Sequence, residues 1–116
     1  MTETHPSAFC SKFQRTVELI GRRWTGAILR ALFSGVTRFS DLCLTVPGLS
    51  DRMLAERLKE LELEGIVTRT VIPDTPVRVE YSLTDKGRDL EAVIGAVSGW
   101  AERWEESGSH PVRAAS

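Results

Sequence analysis

The side chains best suited to chemistry lie between Ser50 and Leu63, in the run Ser-Asp-Arg-Met-Leu-Ala-Glu-Arg-Leu-Lys-Glu-Leu-Glu-Leu. Leu54, Leu58 and Leu61 recur at helical spacing and form one narrow apolar stripe. At about 100° per residue, Arg52, Ala55, Glu56 and Lys59 fall on the opposite side. Ser50 is a good N-cap, and Asp51 places negative charge at the positive end of the helix dipole. The chemistry such a face supports is hydrogen-bond recognition rather than bond making. An arginine fork matches the two acceptors of guanine in the major groove, and a carboxylate can accept from cytosine N4. A small residue such as Ala55 lets the face come close to its target. Taken alone, an ordinary amphipathic surface helix would show the same pattern, so the neighbouring elements decide.

Other chemistries find little to work with. There is no Ser/His/Asp, Cys/His or metal-ligand constellation, so an enzyme, a metal centre and a cofactor are not expected. The two cysteines are too few for a disulfide framework, and His5 and His110 fall in expected tails. Cys10 stands just ahead of a helix start, where the dipole, Lys12 and Arg15 could stabilise a thiolate. The alternative is an unremarkable thiol or a small buried apolar residue. Cys43 is expected to pack.

These residues belong to a chain of 116 residues, a single domain by length. Its apolar and charged fractions, 41% and 27%, are those of a soluble globular protein. No apolar run approaches membrane-spanning length and the start, Met1 to Ser7, lacks a signal-peptide core, so a cytoplasmic location without membrane contact is expected. The net charge of −1 gives no global argument for nucleic acid. Its distribution is more useful: residues 12–78 carry 11 Lys and Arg against 8 Asp and Glu, or +3, and the remainder stands at −4. A weakly basic body with an acidic C-terminal helix allows DNA binding at one end.

The elements that must position the polar face follow in order. Residues 1–9 and 107–116, rich in Ser, Pro, Gly and Ala, are expected to be flexible tails around a domain spanning 10–106. A first helix is expected from Ser11 to Ile20 and ends at Gly21; a second runs from Thr25 to Phe33, with Trp24 anchoring its start in the core. Arg22 and Arg23 are either phosphate contacts or a solvated pair. Thr37-Arg38-Phe39 is long enough for a single strand step. Ser40 is expected to cap a third helix, Asp41 to about Val46, with Leu42 and Leu44 inward. Pro47-Gly48-Leu49 is a tight turn into the long helix, and two helices joined this way make a helix-turn-helix.

After Gly65 the period changes to two. Val67 to Ile72 and Val77 to Leu83, separated by Pro73-Asp74-Thr75-Pro76, predict a hairpin with one apolar face. Strands in this position make a wing. Thr84 and Asp85 start a last helix to about Glu105, in which Leu90, Val93, Ile94, Val97, Trp100, Ala101 and Trp104 keep helical spacing. Gly95 and Gly99 in its interior each cost about 1 kcal/mol relative to Ala, which makes sense where another helix approaches closely. One reading folds this helix back on its own domain. The other, preferred, pairs it with the first helix across a homodimer, through Phe13, Val17, Val93, Val97, Trp100 and Trp104. The predicted fold is mainly α with a small antiparallel hairpin, a winged helix-turn-helix.

The order of elements and the residues together resemble the HxlR-type winged helix-turn-helix regulators, near the MarR group. The matching residues are Leu19-Ile20-Gly21 before Trp24-Thr25, Arg38-Phe39-Ser40-Asp41-Leu42, and Pro47-Gly48-Leu49-Ser50. Met53-Leu54, Arg57-Leu58-Lys59-Glu60-Leu61-Glu62 and Gly65-Ile66-Val67 follow, and Pro76 to Gly87 is the most distinctive stretch. Cys10 stands where many members carry a cysteine. The resemblance covers roughly residues 10–104. Departures are Ser11 in place of the usual proline, Gly21-Arg22-Arg23 in place of Gly-Gly-Lys, and Leu63 at a position usually polar, where contact with a partner subunit is one account.

The resemblance implies dimeric, sequence-specific binding of double-stranded DNA at an inverted repeat and transcriptional control, usually repression. Ser50, Asp51, Arg52, Ala55, Glu56 and Lys59 are then the groove-facing candidates, with Arg52 the expected guanine reader. Asp51 and Glu56 either accept from cytosine or cap and screen. Arg38 and Ser40 are expected on phosphates, and Arg78 with Arg69 on the neighbouring minor groove or backbone. The resemblance also implies an oxidant or electrophile as signal at Cys10. Two rivals stand beside this reading: a winged-helix module that binds protein, and a MarR-like regulator answering to a small molecule without a cysteine switch.

Overall fold

Periodicity, caps and glycines place the elements of the computed structural model, which describes residues 10–105. Five helices and one hairpin follow the chain as α1 Ser11–Ile20, α2 Thr25–Phe33, α3 Phe39–Thr45, α4 Asp51–Leu63, β1 Val67–Ile72, β2 Arg78–Leu83 and α5 Asp85–Trp104. The expected tails, 1–9 and 107–116, lie outside the described residues.

Helix α4 begins where its sequence says it should. Ser50 has extended backbone, and its hydroxyl accepts from the Met53 amide at 3.1 Å. Its end is a Schellman turn: Ile66 N–H donates to the Leu61 carbonyl at 2.9 Å and Gly65 N–H to Glu62 at 3.0 Å. Gly65 takes φ +75, the left-handed conformation this closure needs. Leu54, Leu58 and Leu61 are buried against Ile28, Leu29 and Leu42 from α2 and α3. The core therefore sits under the leucine stripe, and the opposite face of α4 is left to solvent.

The hairpin is antiparallel, in register Val67↔Leu83 through Ile72↔Arg78. Tyr81 and Val67 are buried and Val79 and Leu83 half-buried, so the apolar face lies on the helices. Thr37 and Arg38 make the expected strand step: the Tyr81 amide donates to the Thr37 carbonyl at 2.8 Å, beside a single bridge between Arg38 and Glu80. Val77 belongs to the turn, not the strand, and is 61% exposed.

Three expectations need correction. Helix α3 starts at Phe39, two residues early, and Ser40 is not its cap. The cap position is Arg38, whose extended backbone is already committed to the bridge with Glu80, so the chain turns helical immediately after it. Leu44 is 82% exposed, because Leu42 and Val46 take the inward side of this short helix. Trp24 is half-buried at the core's edge rather than inside it; it holds φ +79 as the N-cap of α2 and lies under the Arg23 guanidinium at 4.9 Å. A bulky residue in that region costs about 1–2 kcal/mol, so surrounding contacts must hold it.

Helix α5 is rooted at the α4–β1 junction. The Thr84 hydroxyl caps it by accepting from Gly87 N–H at 3.0 Å, and the Thr84 amide donates to the Ile66 carbonyl at 3.0 Å. Lys86 Nζ donates to the Glu64 carbonyl at 2.7 Å. Gly87 is buried, and a Cβ there would collide with the Ile66 carbonyl. Beyond this root α5 packs on α2, with Ile94 in the core and Leu90 half-buried against it, and Ile94 is its one buried large side chain among the described residues.

Candidate nucleic-acid interface

The polar face of α4 is presented as its sequence predicts. Asp51, Arg52, Ala55, Glu56 and Lys59 are all exposed, and the Arg52 side chain is 89% exposed. Glu56 lies one helical turn on, with Arg52 Nε 3.4 Å from its carboxylate. At that exposure the pair is weak, on the order of 0.2–1 kcal/mol, and Arg52 can leave it for a better acceptor. Asp51 is held on the other side. The Cys43 thiol donates to its Oδ1 at 3.0 Å. Burial, then this hydrogen bond and the charge of Asp51, push the Cys43 thiol up to about 11. Cys43 is half-buried against the core, as expected of a packing residue, and its proton keeps one Asp51 oxygen turned towards α3.

The wing completes the surface. An open cleft of about 840 Å³ between α4, the start of α3 and the hairpin is lined by Arg38, Ser40, Ala55, Lys59, Arg69 and Arg78. Four cations thus line one concavity, against Glu62 as the carboxylate of its lining. Arg38, Lys59 and Arg69 form no ion pair among the described residues. Arg78 differs. Its Nη1 is 2.9 Å from Asp74 and its Nε 3.5 Å from Glu80, so two of its three nitrogens already face carboxylates. Three residues far apart in sequence, Arg38, Lys59 and Arg69, are thereby brought to one place beside the exposed face of α4.

Other expected residues lie elsewhere. Cys10 is the N-cap of α1, half-buried, without a side-chain cap hydrogen bond. Arg15 is turned from it to α4, where it donates to both carboxylate oxygens of Glu64 at 3.3 Å. Phe13, Val17, Val93, Val97, Trp100 and Trp104 are exposed, at 43–65%. No atom lies within 4 Å of where a Cβ would stand on Gly95 or Gly99. Leu63 is also out, at 76% exposed, lining a cleft with Arg15, Leu19 and Leu90.

Arg22 and Arg23 are both exposed, as the solvated-pair reading expects, and each also has a local contact. Arg22 Nε is 3.4 Å from Glu60, and the Arg23 carbonyl accepts from Arg57 Nε at 3.0 Å. Arg57 is the residue that reading by composition passes over: it is 7% exposed, and its Nη1 donates to Glu60 at 3.0 Å. The available signal was its spacing, three residues after Leu54 and four before Leu61, which sets a charge on the apolar stripe.

Among the described residues no group of His, Cys, Asp and Glu could hold a metal ion, and no helix is long and apolar enough to cross a membrane. Comparison with known proteins agrees with the geometry. Residues 19–109 match the HxlR-like helix-turn-helix family. The chain is 51% identical over 98 residues to the uncharacterized HTH-type transcriptional regulator YvaP of Bacillus subtilis (strain 168), covering 84% of this chain and 91% of that protein. Its fold is similar to reduced YodB from B. subtilis, with TM-score 0.74 and 46% identity over 87% of this chain and 99% of that one. YodB has also been solved quinone-bound, with TM-score 0.72 and 42% identity over 83% and 100% of the two chains. The redox regulator HypR in its reduced form gives TM-score 0.74 at 37% identity, over 79% and 91%. With a Ser50-capped helix, a basic wing cleft and these relatives, the chain belongs to the HxlR-like helix-turn-helix family of transcriptional regulators.

Proposed function

We propose that this protein acts as a homodimer that binds an inverted-repeat operator in the cytoplasm and represses transcription by occupying it. The observation that carries the reading is the convergence of Arg38, Lys59 and Arg69 on a cleft flanking the exposed face of α4. Phosphates held in that cleft would fix the register, leaving Arg52 to read base edges. The C-terminal half of α5 supports the dimer, since Val97, Trp100 and Trp104 stand in solvent and Gly95 and Gly99 leave room for a backbone to approach. Selection of bound sequences from a random duplex pool tests the proposal. An inverted repeat with half-sites about one helical turn apart is expected; a pool that stays random sinks it.

The signal is proposed to be an oxidant or an electrophile such as a quinone, acting at Cys10. Support comes from a half-buried thiol at the head of α1, the helix whose Phe13 and Val17 flank the proposed dimer face, and from the quinone-bound form of YodB. Titrating a quinone against the wild type and Cys10→Ser, with operator affinity as readout, decides it. Loss of affinity in the wild type alone is expected, and equal behaviour of the two rejects the switch.

A further inference from the structure

Helix α4 carries one charged side chain where an apolar one would pack. Arg57 is 7% exposed, while Arg52 and Lys59 on the same helix are exposed. Its Nε donates to the Arg23 carbonyl and its Nη1 to Glu60 Oε2, both at 3.0 Å. Glu60 Oε1 in turn lies 3.4 Å from Arg22 Nε. One guanidinium therefore ties the middle of α4 to the turn between α1 and α2, 34 residues away in sequence. That turn ends at Trp24 with φ +79, a conformation that needs fixing from outside.

We propose that Arg57 is a positioning residue for operator reading: its fork sets the rotation of α4 about its own axis relative to the turn between α1 and α2. This rests on the DNA-binding reading above. The leucine stripe of Leu54, Leu58 and Leu61 holds α4 down by contacts that have no direction of their own. Hydrogen bonds have one: the guanidinium donates directly to the Arg23 carbonyl in the α1–α2 turn, and through Glu60 on α4 itself it is linked to Arg22 of the same turn, so two links fix the face that α4 turns to it. Side-chain tips ride roughly 5–6 Å from a helix axis, so a turn of about 20° displaces them by about 2 Å. A bidentate base contact does not survive that shift, whereas a phosphate contact in solvent adjusts. Removing one partner of such a pair lowers stability by itself, so the role of Arg57 is read from the ratio of specific to nonspecific binding and not from the melting temperature.

Arg57→Met in the full chain separates the two roles. The probes are the duplex that the parent selects from a random pool and a scrambled duplex of equal length, each titrated at two salt concentrations. The expected result is a lowered melting temperature with the variant still folded, unchanged affinity and salt slope on the scrambled duplex, and at least a tenfold loss on the selected one. Base preference should broaden at several positions at once. A selected-to-scrambled ratio within twofold of the parent's overturns the proposal, as does an equal loss on both duplexes. Should Arg57→Met not fold, Arg57→Lys keeps the charge but not the fork, and a folded Lys variant with the parental ratio is equally fatal. A parent that cannot tell the duplexes apart removes the DNA reading itself; a discriminating parent matched by its Met variant removes only the role of Arg57.

Discussion

Truncation of Arg52 offers a direct measure of base reading. In the free protein its side chain is 89% exposed and makes one contact, 3.4 Å to Glu56. Losing that pair costs the free state about 0.2–1 kcal/mol at most, and alanine is the better helix former, so the melting temperature should barely move. A bidentate guanine contact is worth about 1–3 kcal/mol of discrimination. Arg52 gives up some of its Glu56 interaction on binding, so the net loss in Arg52→Ala should be roughly 1–2.5 kcal/mol, or about 5- to 70-fold in Kd. Titrations of the operator and of its single-base variants supply the test. The loss should appear on the parent sequence and vanish on the duplex already altered at the contacted base. Arg78→Ala, from the wing, should weaken all sequences alike and flatten the salt dependence. An Arg52→Ala loss that is the same on every duplex, or no loss, refutes the assignment.

Further outcomes follow from other contacts. Gly87→Ala drives a methyl group into the Ile66 carbonyl and should cost about 1–3 kcal/mol in denaturant unfolding; an unchanged midpoint would show that α5 is not seated as described. Val97→Asp together with Trp100→Asp places charge on the exposed face of α5 and should shift sedimentation from two subunits to one, with loss of operator binding. The Cys43 thiol, raised from 9.0 to about 11, stays protonated at pH 8. Its thiolate is about 100-fold scarcer but intrinsically more reactive, so alkylation should run roughly tenfold slower than for an ordinary thiol, as read by mass spectrometry. Because the folded value lies above the unfolded one, any stability this proton contributes is full below pH 9 and is lost as pH rises through about 11. Cys43→Ala should therefore flatten the alkaline limb of the unfolding curve.

Much of this was legible from local rules. Ser50, the three leucines and Gly65 define α4 because cap, stripe and stop are all encoded within it. The hairpin is legible for the same reason, since alternation within each strand needs no knowledge of the other. The misread positions are those decided at a distance. Ser40 looks like a cap, but the Arg38–Glu80 bridge sets where α3 begins. Gly87 carries no local signal of its role, and only the Ile66 carbonyl beside it gives the reason for a missing side chain. Arg57 was assigned no role, because its partner is a backbone carbonyl of Arg23 that no pattern of side chains announces. Within the cleft, the residue types were readable, but not that Asp74 and Glu80 hold Arg78 while Arg38 and Lys59 form no ion pair among the described residues.

The seat of α5 has its own consequence for the operator. Because Thr84, Lys86 and Gly87 clasp the end of α4, one root is shared by the helix proposed to join two subunits and the finger proposed to enter the groove. In the proposed pair the two fingers would behave as the jaws of a fixed caliper. Five base pairs added between half-sites would turn the second one to the far side of the duplex, and a full added turn would carry it beyond reach. On the proposed reading, the spacing such a repeat could tolerate would be limited by the contact between a glycine and a carbonyl.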